Sequence, residues 1–276
     1  DSEALLGRVE QFLEVAESHD IGAVLVLFDG VWDPKPKPGK QREPRPHVHN
    51  SRWVQSPGAE ILGDPGRHDE LEPYVSGVIE RFRSDARIHA WDLFNEPDNP
   101  NPAYTGQELE DKAEMALALL KKAFDWAREA EPEQPLTAGV WRGHWRDADR
   151  LRPIERLSLE RSDVISFHNY GPLESMARCV ENLRRYERPL MCTEYMSRGQ
   201  GSTFDPILGY LREQKVGAYS WGLVAGRSQT QYPWDSWVKQ YEAEPEMWFH
   251  DILHADGEPH SPAEAGYIKR TASVAD

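Results

Sequence analysis

The sequence predicts an α/β protein built as a (β/α) barrel of the TIM type, and the barrel is expected to be incomplete because about six βα units are visible. Two observations predict this class. Apolar segments of strand length recur along the 276 residues, and amphipathic helical segments separate them. The alternation runs through to the last helix, which favours a barrel over a doubly wound sheet and a single domain over residues 1–276.

The first element is predicted to be an amphipathic helix, because apolar residues from Leu5 to Ala16 recur at helical spacing while charged residues occupy the other face. The run AVLVLF at 23–28 follows it and is typical of a strand buried on both faces of a parallel sheet. Further strands are predicted at 88–95, 136–140, 164–169, 189–194 and 217–222. Further helices are predicted near 69–84, 107–130, 154–160, 173–186, 205–213 and 262–271.

Two long segments interrupt the alternation. Residues 34–46 hold five prolines and five Lys or Arg, and residues 223–260 hold three tryptophans and a tight-turn signal at Asp256-Gly257. Because the alternation resumes after the first segment, we interpret it as a long loop rather than an interdomain linker. Both segments follow strands, so both are expected above the C-terminal face, where barrel enzymes carry their chemistry.

The composition is acidic, with 47 Asp and Glu against 32 Lys and Arg and a formal net charge of −15 at pH 7. An acidic surface repels phosphate groups, so nucleic acid and anionic membranes are not expected partners. The sequence has no apolar run near the roughly 18 residues of a membrane helix. The first twenty residues carry acids where a signal peptide has an apolar core, which predicts a cytoplasmic protein.

Neither the cysteines nor the histidines predict a metal site. Cys179 and Cys192 lack the paired spacing of a zinc site and are expected to be buried free thiols. Two histidine pairs lack a third ligand in the sequence and are expected at the surface: His47 with His49, and His250 with His254. Motifs for nucleophilic serine, phosphate or dinucleotide binding are also missing from the sequence, which leaves hydrolysis without a cofactor.

Side chains suited to acid–base chemistry stand at the predicted strand ends. One strand ends in NEP at Glu96, and another ends in TEY at Glu194. The strand predicted at 164–169 ends in HNY, with His168 and Tyr170 on one face, and the last strand ends at Trp221. Two carboxyls at one rim suit glycosidic bond cleavage, because one must protonate the leaving oxygen while the other attacks or activates water. The Trp221 indole could pack against a sugar ring.

These four strand ends, in this order, resemble glycoside hydrolase clan A, and specifically the cellulase-like barrels of family 5. The resemblance covers the chain from about residue 20 to its end, and it puts the two glutamates at the family's fourth and seventh strands. It implies retaining hydrolysis of β-linked sugars, with Glu96 as acid/base and Glu194 as nucleophile. It also implies that Asn95 binds the 2-hydroxyl, while His168 and Tyr170 position the carboxylates.

The sequence departs from the family pattern at its beginning. If residues 23–28 form the family's third strand, the first two strands are missing, and with them an arginine that the family usually carries near the nucleophile. Arg227, in the loop after the last strand, is a candidate to hold Glu194 ionised in its place. The open edges of the strands at 23–28 and 217–222 would need a cover, for which a homo-oligomer is expected.

Four polar or aromatic residues after the first predicted strand are further candidates for substrate binding: Asp29, Trp32, His49 and Asn50. Half or more of them, together with Trp53, could instead hold the proline-rich loop in place.

The sequence thus predicts a single catalytic domain that cleaves a β-glucoside, β-galactoside or β-xyloside by a two-glutamate double displacement. The alternative is a catalytically silent carbohydrate-binding barrel, motivated by the missing strands and arginine.

Overall fold

The computed structural model describes residues 2–273, which divide into two compact units. The first unit takes the residues up to Pro36 together with Gln55–Val140 and Arg150–Val164. The second unit takes Lys37–Val54, Trp141–Asp149 and the residues from Ile165 onward. The proline-rich loop therefore contributes to both units.

The first unit contains a parallel sheet of three strands in the order β1-β2-β3. Their bounds are β1 Ala23–Val26, β2 Ile88–Asp92 and β3 Leu136–Thr137. Asp92, the last residue of β2, lies opposite Val26 on one side and Thr137 on the other. Because parallel strands end at the same edge, the residues that follow β1 and β2 leave the sheet side by side.

Helices cover this sheet and supply most of the first unit's core. They are α1 Ser2–Glu17, α2 Ala59–Leu62, α3 Glu72–Phe82, α4 Lys112–Glu129 and α5 Pro153–Arg161. Trp91 of β2 is fully buried, and its indole N–H donates to Gln134 Oε1 at 3.1 Å. Phe124 and Phe82 bury one apolar side of α4 and α3 in the same core, which accounts for the helical spacing of the apolar residues.

The second unit contains another parallel three-stranded sheet, in the order β4-β5-β6. Its strands are β4 Ile165–His168, β5 Leu190–Tyr195 and β6 Gly217–Ser220, and its helices are α6 Leu173–Leu183, α7 Phe204–Glu213 and α8 Pro262–Ala272. A bulge interrupts the pairing of β4 with β5, since Phe167 lies opposite Cys192 but His168 lies opposite Glu194. The bulge leaves Thr193 out of register.

All six predicted strands are present, but most end earlier than the apolar runs suggest. The strand predicted at 88–95 ends at Asp92, and the strand predicted at 136–140 ends at Thr137. The residues beyond these ends remain buried, so their apolar character reflects packing of the strand-end loops and not continued pairing. The four-residue helix α2 has no counterpart in the predictions, because a single turn carries no periodic signal.

The prediction of two buried free thiols is confirmed for Cys179 and Cys192. Burial raises the pKa of Cys179 to about 12, so this sulfur stays protonated and unreactive near neutral pH. Among residues 2–273, no helix combines the length and the apolar character that crossing a membrane requires.

Candidate active site

Glu96 stands four residues beyond β2, and the backbone around it is closely packed. It is 7% exposed and has a φ of 41°, a left-handed conformation that is uncommon for a residue with a side chain. Gly30, in the loop after β1, packs against its main chain. A Cβ at Gly30 would lie only 2.1 Å from the Glu96 carbonyl oxygen, so this approach requires glycine.

The Glu96 carboxyl is held by its own loop. Asn99 Nδ2 donates to Glu96 Oε2 at 2.5 Å, and the Asn99 main-chain N–H donates to the Glu96 carbonyl at 3.0 Å. The segment EPDN is therefore a β-turn with Pro97 at its second position, where the fixed φ of proline is favoured. One residue thus makes both the turn and the contact with the carboxylate.

A buried lysine ties this turn to the loop after β1. Lys112 Nζ donates to the carbonyl of Gly30 at 2.6 Å, to the carbonyl of Asn99 at 2.7 Å and to Glu108 Oε2 at 2.8 Å. These three acceptors match the three donors of an ammonium group. Burial lowers the pKa of Lys112 and raises that of Glu108, because removal from water disfavours both charges.

Asp29, one of the residues that the sequence offered for substrate binding, lies near Glu96 in the first unit. Its Oδ1 accepts the Val31 N–H at 2.8 Å, and Asn95 Nδ2 lies 3.4 Å from its Oδ2. Burial raises the pKa of Asp29 to about 7, and the nearby charges of Glu96 and Asp92 add to the rise. Asp29 therefore changes its charge near neutral pH.

In the second unit, Glu194 receives a hydrogen bond from Tyr170, whose hydroxyl lies 2.6 Å from Glu194 Oε2. His168 Nδ1 is 3.5 Å from the same oxygen, since the bulge places His168 opposite Glu194. An O–H donor stabilises the ionised carboxylate. The structure thus brings together three of the predicted residues: Glu194, Tyr170 and His168.

Aromatic rings and histidines surround Tyr170. Its ring centroid lies 5.2 Å from that of Trp234 and 5.4 Å from that of His250. His250 is fully buried, and its ring lies 5.3 Å from the ring of His49. Trp234 remains 39% exposed, so this cluster reaches solvent through an indole. A second aromatic pair joins Trp221 to the 43% exposed Trp53, at 5.9 Å between ring centroids.

Two of the histidines expected at the surface are buried, which corrects that prediction. His49 Nδ1 donates to the carbonyl of Tyr232 at 2.8 Å, and His250 Nδ1 donates to the carbonyl of Met196 at 2.7 Å. Burial lowers the pKa of His49 to about 4, so this histidine is neutral near pH 7. Both rings anchor loops of the second unit. For His49, the sequence had offered such a structural role as the alternative to substrate binding.

The other candidates have different surroundings. Asn50 is fully buried, and its main-chain N–H donates to the carbonyl of Ser228, so it connects the segment that follows the proline-rich loop to the loop after β6. Arg227 is 64% exposed and pairs with Glu43 at 2.7 Å, which points its charge to solvent and gives no support to a role at Glu194. Trp32 stays in the first unit with a left-handed backbone, φ 79°.

Sequence reasoning missed four residues of these two clusters: Asn99, Lys112, Trp234 and His250. Asn99 carried a local signal, because it follows the NEP motif at the spacing of a β-turn. Lys112 carried none, since it contacts Gly30 across 82 positions of sequence.

The raised pKa of Asp29 predicts a pH-dependent stability. The folded state favours the protonated form, so this stabilisation is complete below the unfolded value near 3.8 and is lost as the pH rises through about 7. We expect Asp29→Asn to remove this loss and to raise the free energy of unfolding at pH 8 by up to about 4 kcal/mol, at ~1.4 kcal/mol per pKa unit.

Urea unfolding of both proteins at pH 4 and pH 8 tests this expectation. The two curves should differ more at pH 8 than at pH 4. An equal difference at both values would show that Asp29 keeps an ordinary pKa.

Comparison with known proteins gives one family match. The model of glycosyl hydrolase family 10 matches residues 47–140, a segment that includes β2, Glu96 and the turn to Asn99. Family 10 belongs to clan A, so the clan resemblance is supported, whereas its specific placement in family 5 is not. A search of curated protein sequences gave no match.

Solved structures of glycosidases share the fold. Xylanase XynB from Paenibacillus barcinonensis aligns at a TM-score of 0.55 and 15% identity, over 91% of this chain and 78% of its own. The β-D-glucuronidase of Dictyoglomus thermophilum aligns at a TM-score of 0.56 and 16% identity, over 97% of this chain and 43% of its own. The β-glucuronidase of Bifidobacterium dentium aligns at a TM-score of 0.52 and 16% identity, over 78% of this chain and 35% of its own.

The chain spans less than half the length of these two β-glucuronidases, and most of the xylanase. At such identities the likeness shows the fold, and the parallel strands of each unit agree with it. The predicted class of an incomplete (β/α) barrel is thereby confirmed. The chain has the (β/α)-barrel fold of these glycosidases, and its residues 47–140 match the model of glycosyl hydrolase family 10.

Proposed function

We propose that this protein is a retaining glycoside hydrolase that cleaves β-linked glycosides. The observation that carries the proposal is the pair of strand-end glutamates, each with a hydrogen-bond donor on its carboxylate: Asn99 on Glu96, and Tyr170 on Glu194. The family 10 match supports the same reaction class. Of the three sugars that the sequence left open, β-xylosides come first, because two of the similar structures are described as xylanases.

The two carboxyls have different tasks in this reaction. Glu194 must attack the anomeric carbon as a carboxylate, and the Tyr170 hydroxyl stabilises that charge. Glu96 gives its proton to the leaving glycosidic oxygen, and the bond to the anomeric carbon breaks. Water then attacks the covalent glycosyl intermediate, Glu96 takes the proton from that water, and Glu194 leaves as a carboxylate. The product keeps the β configuration.

The roles are separable with aryl β-xylosides and β-glucosides. We expect wild type to release nitrophenol and Glu194→Ala to lose this activity by at least ~10⁴-fold, since the covalent intermediate cannot form. Glu96→Ala should keep activity on substrates whose leaving group needs little protonation. Azide should accelerate that variant and give a β-glycosyl azide, because the small anion needs no general base.

Three outcomes would contradict this mechanism. An α-glycosyl azide from Glu96→Ala would mean that the two roles are reversed. An α-anomer as the first product seen by NMR would exclude retention and would predict carboxyls about 6.5 to 9.5 Å apart instead of about 5 to 5.5 Å. Sugar binding without any turnover would favour the alternative, a silent carbohydrate-binding barrel.

The hydroxyl of Tyr170 is expected to matter for the nucleophile. Tyr170→Phe keeps the ring packed against Trp234 and His250 but removes the donor to Glu194. We expect kcat/KM to fall by about 10- to 100-fold, corresponding to a charge-assisted hydrogen bond of about 1.5–3 kcal/mol. Steady-state kinetics at several pH values measures the loss. A variant with unchanged kinetics would show that the hydrogen bond has no part in the reaction.

The proposal includes a homo-oligomer, because both sheets end in an edge strand that exposes apolar side chains. In the first unit, β1 is an edge strand and Val26 is 49% exposed. In the second unit, β6 is an edge strand and Tyr219 is 38% exposed. Exposed edges favour association with another chain. Light scattering at decreasing concentration tests this, and an active monomer at nanomolar concentration would exclude it.

A further inference from the structure

We infer that Trp53 binds a second sugar ring of a β-linked oligosaccharide, beside the ring that Glu194 attacks. The inference rests on the proposed function and narrows its substrate class to oligosaccharides. The Trp53 indole is 43% exposed, and its ring centroid lies 5.9 Å from that of Trp221. Two adjacent indoles make a larger apolar surface than the scattered exposed residues of an ordinary protein surface, and such surfaces mark ligand sites.

The position of Trp221 relates this aromatic pair to the proposed nucleophile. Trp221 directly follows β6, and its main-chain N–H donates to the carbonyl of Tyr195 at 3.0 Å. Tyr195 is the last residue of β5 and follows Glu194 directly. Trp221 therefore leaves the sheet beside the strand end that carries Glu194, and a sugar ring at this strand end meets its indole.

The angle between the two indoles assigns them to different sugar rings. Their planes are inclined by 66°, in an edge-to-face contact. A pyranose stacks with its C–H face parallel to an indole, so one sugar ring cannot stack on both. The ring on Trp221 is the one beside Glu194, which leaves the face of Trp53 for its neighbour in the chain. Because stacking does not distinguish hydroxyl positions, Trp53 selects for chain length and not for the identity of the sugar.

The turn that carries Trp53 is fixed by contacts that do not involve its indole. Residues 50–53 form a β-turn, which the Trp53 N–H closes on the Asn50 carbonyl at 3.1 Å. The Asn50 N–H donates to the carbonyl of Ser228 at 2.7 Å, and Arg42 Nε donates to the carbonyl of Ser51 at 3.1 Å. The indole is therefore positioned before a sugar arrives, so less conformational entropy is lost on binding.

Two variants isolate this role. Trp53→Ala removes the indole, and Trp53→Phe keeps an aromatic face at the same position. The control is Phe12→Ala, which removes another exposed ring, 54% exposed, from α1 in the first unit. Because the turn is held by other contacts, we expect all three variants to unfold close to the wild-type temperature, which thermal unfolding checks.

Binding is measured by calorimetry in a Glu194→Ala parent, so that no glycosidic bond is cleaved. The probes are xylotriose and cellotriose. For the trisaccharide that the parent binds more tightly, we expect Kd to rise by at least about tenfold when Trp53→Ala is added, and by less than about threefold when Trp53→Phe is added. Adding Phe12→Ala should leave Kd unchanged. An unchanged Kd after Trp53→Ala, or a parent that binds neither trisaccharide, would overturn the inference.

Kinetics with Glu194 intact separate a binding role from a structural one. β-Xylosyl fluoride carries a single sugar ring, so Trp53→Ala should lower its kcat/KM by less than about threefold, whereas kcat/KM for the trisaccharide should fall by at least about tenfold. Equal losses on both substrates would make Trp53 a structural residue and overturn the inference. A wild type that binds the trisaccharide without cleaving it would overturn the proposed function instead, and the comparison of Kd values would still decide the inference.

Discussion

The ammonium of Lys112 is the interaction on which the position of Glu96, the proposed acid/base, depends. A cation that is 3% exposed costs several kcal/mol to bury unless its donors are satisfied. Here the donors go to the loop after β1, to the turn after β2 and to Glu108, just before α4. Any rearrangement of one loop would leave a buried charge unpaired. The position of Glu96 is therefore fixed by the cost of that charge.

The second unit reaches a similar result with a bulge instead of a buried ion. An extra residue in β5 puts Glu194 level with His168, so side chains from two neighbouring strands meet at one carboxylate oxygen. Tyr170 then reaches the same oxygen from two residues beyond β4. Bulges next to active sites commonly redirect a side chain in this way. The rings of Trp234 and His250 pack around Tyr170 and restrict its motion.

The parts that could be predicted from the sequence are those with local signals. Strand ends with NEP, HNY and TEY made Glu96, His168, Tyr170 and Glu194 candidates, because a parallel sheet presents the ends of its strands at one edge. Contacts distant in sequence gave no such signal. Lys112 belongs to no motif in the sequence, and His250 was expected at the surface. Both are buried because their polar atoms find main-chain carbonyls, which depends on the tertiary fold.

The neighbourhood of Glu96 also determines which measurement can identify it as the acid. Asp29 has a pKa of about 7, raised first by burial and then by the charge of Glu96, so the two carboxyls interact. A change in reaction rate near neutral pH therefore follows the ionisation of Asp29 as readily as that of the acid. The response to the leaving group has no such ambiguity, because only the group that protonates the glycosidic oxygen makes the rate depend on it.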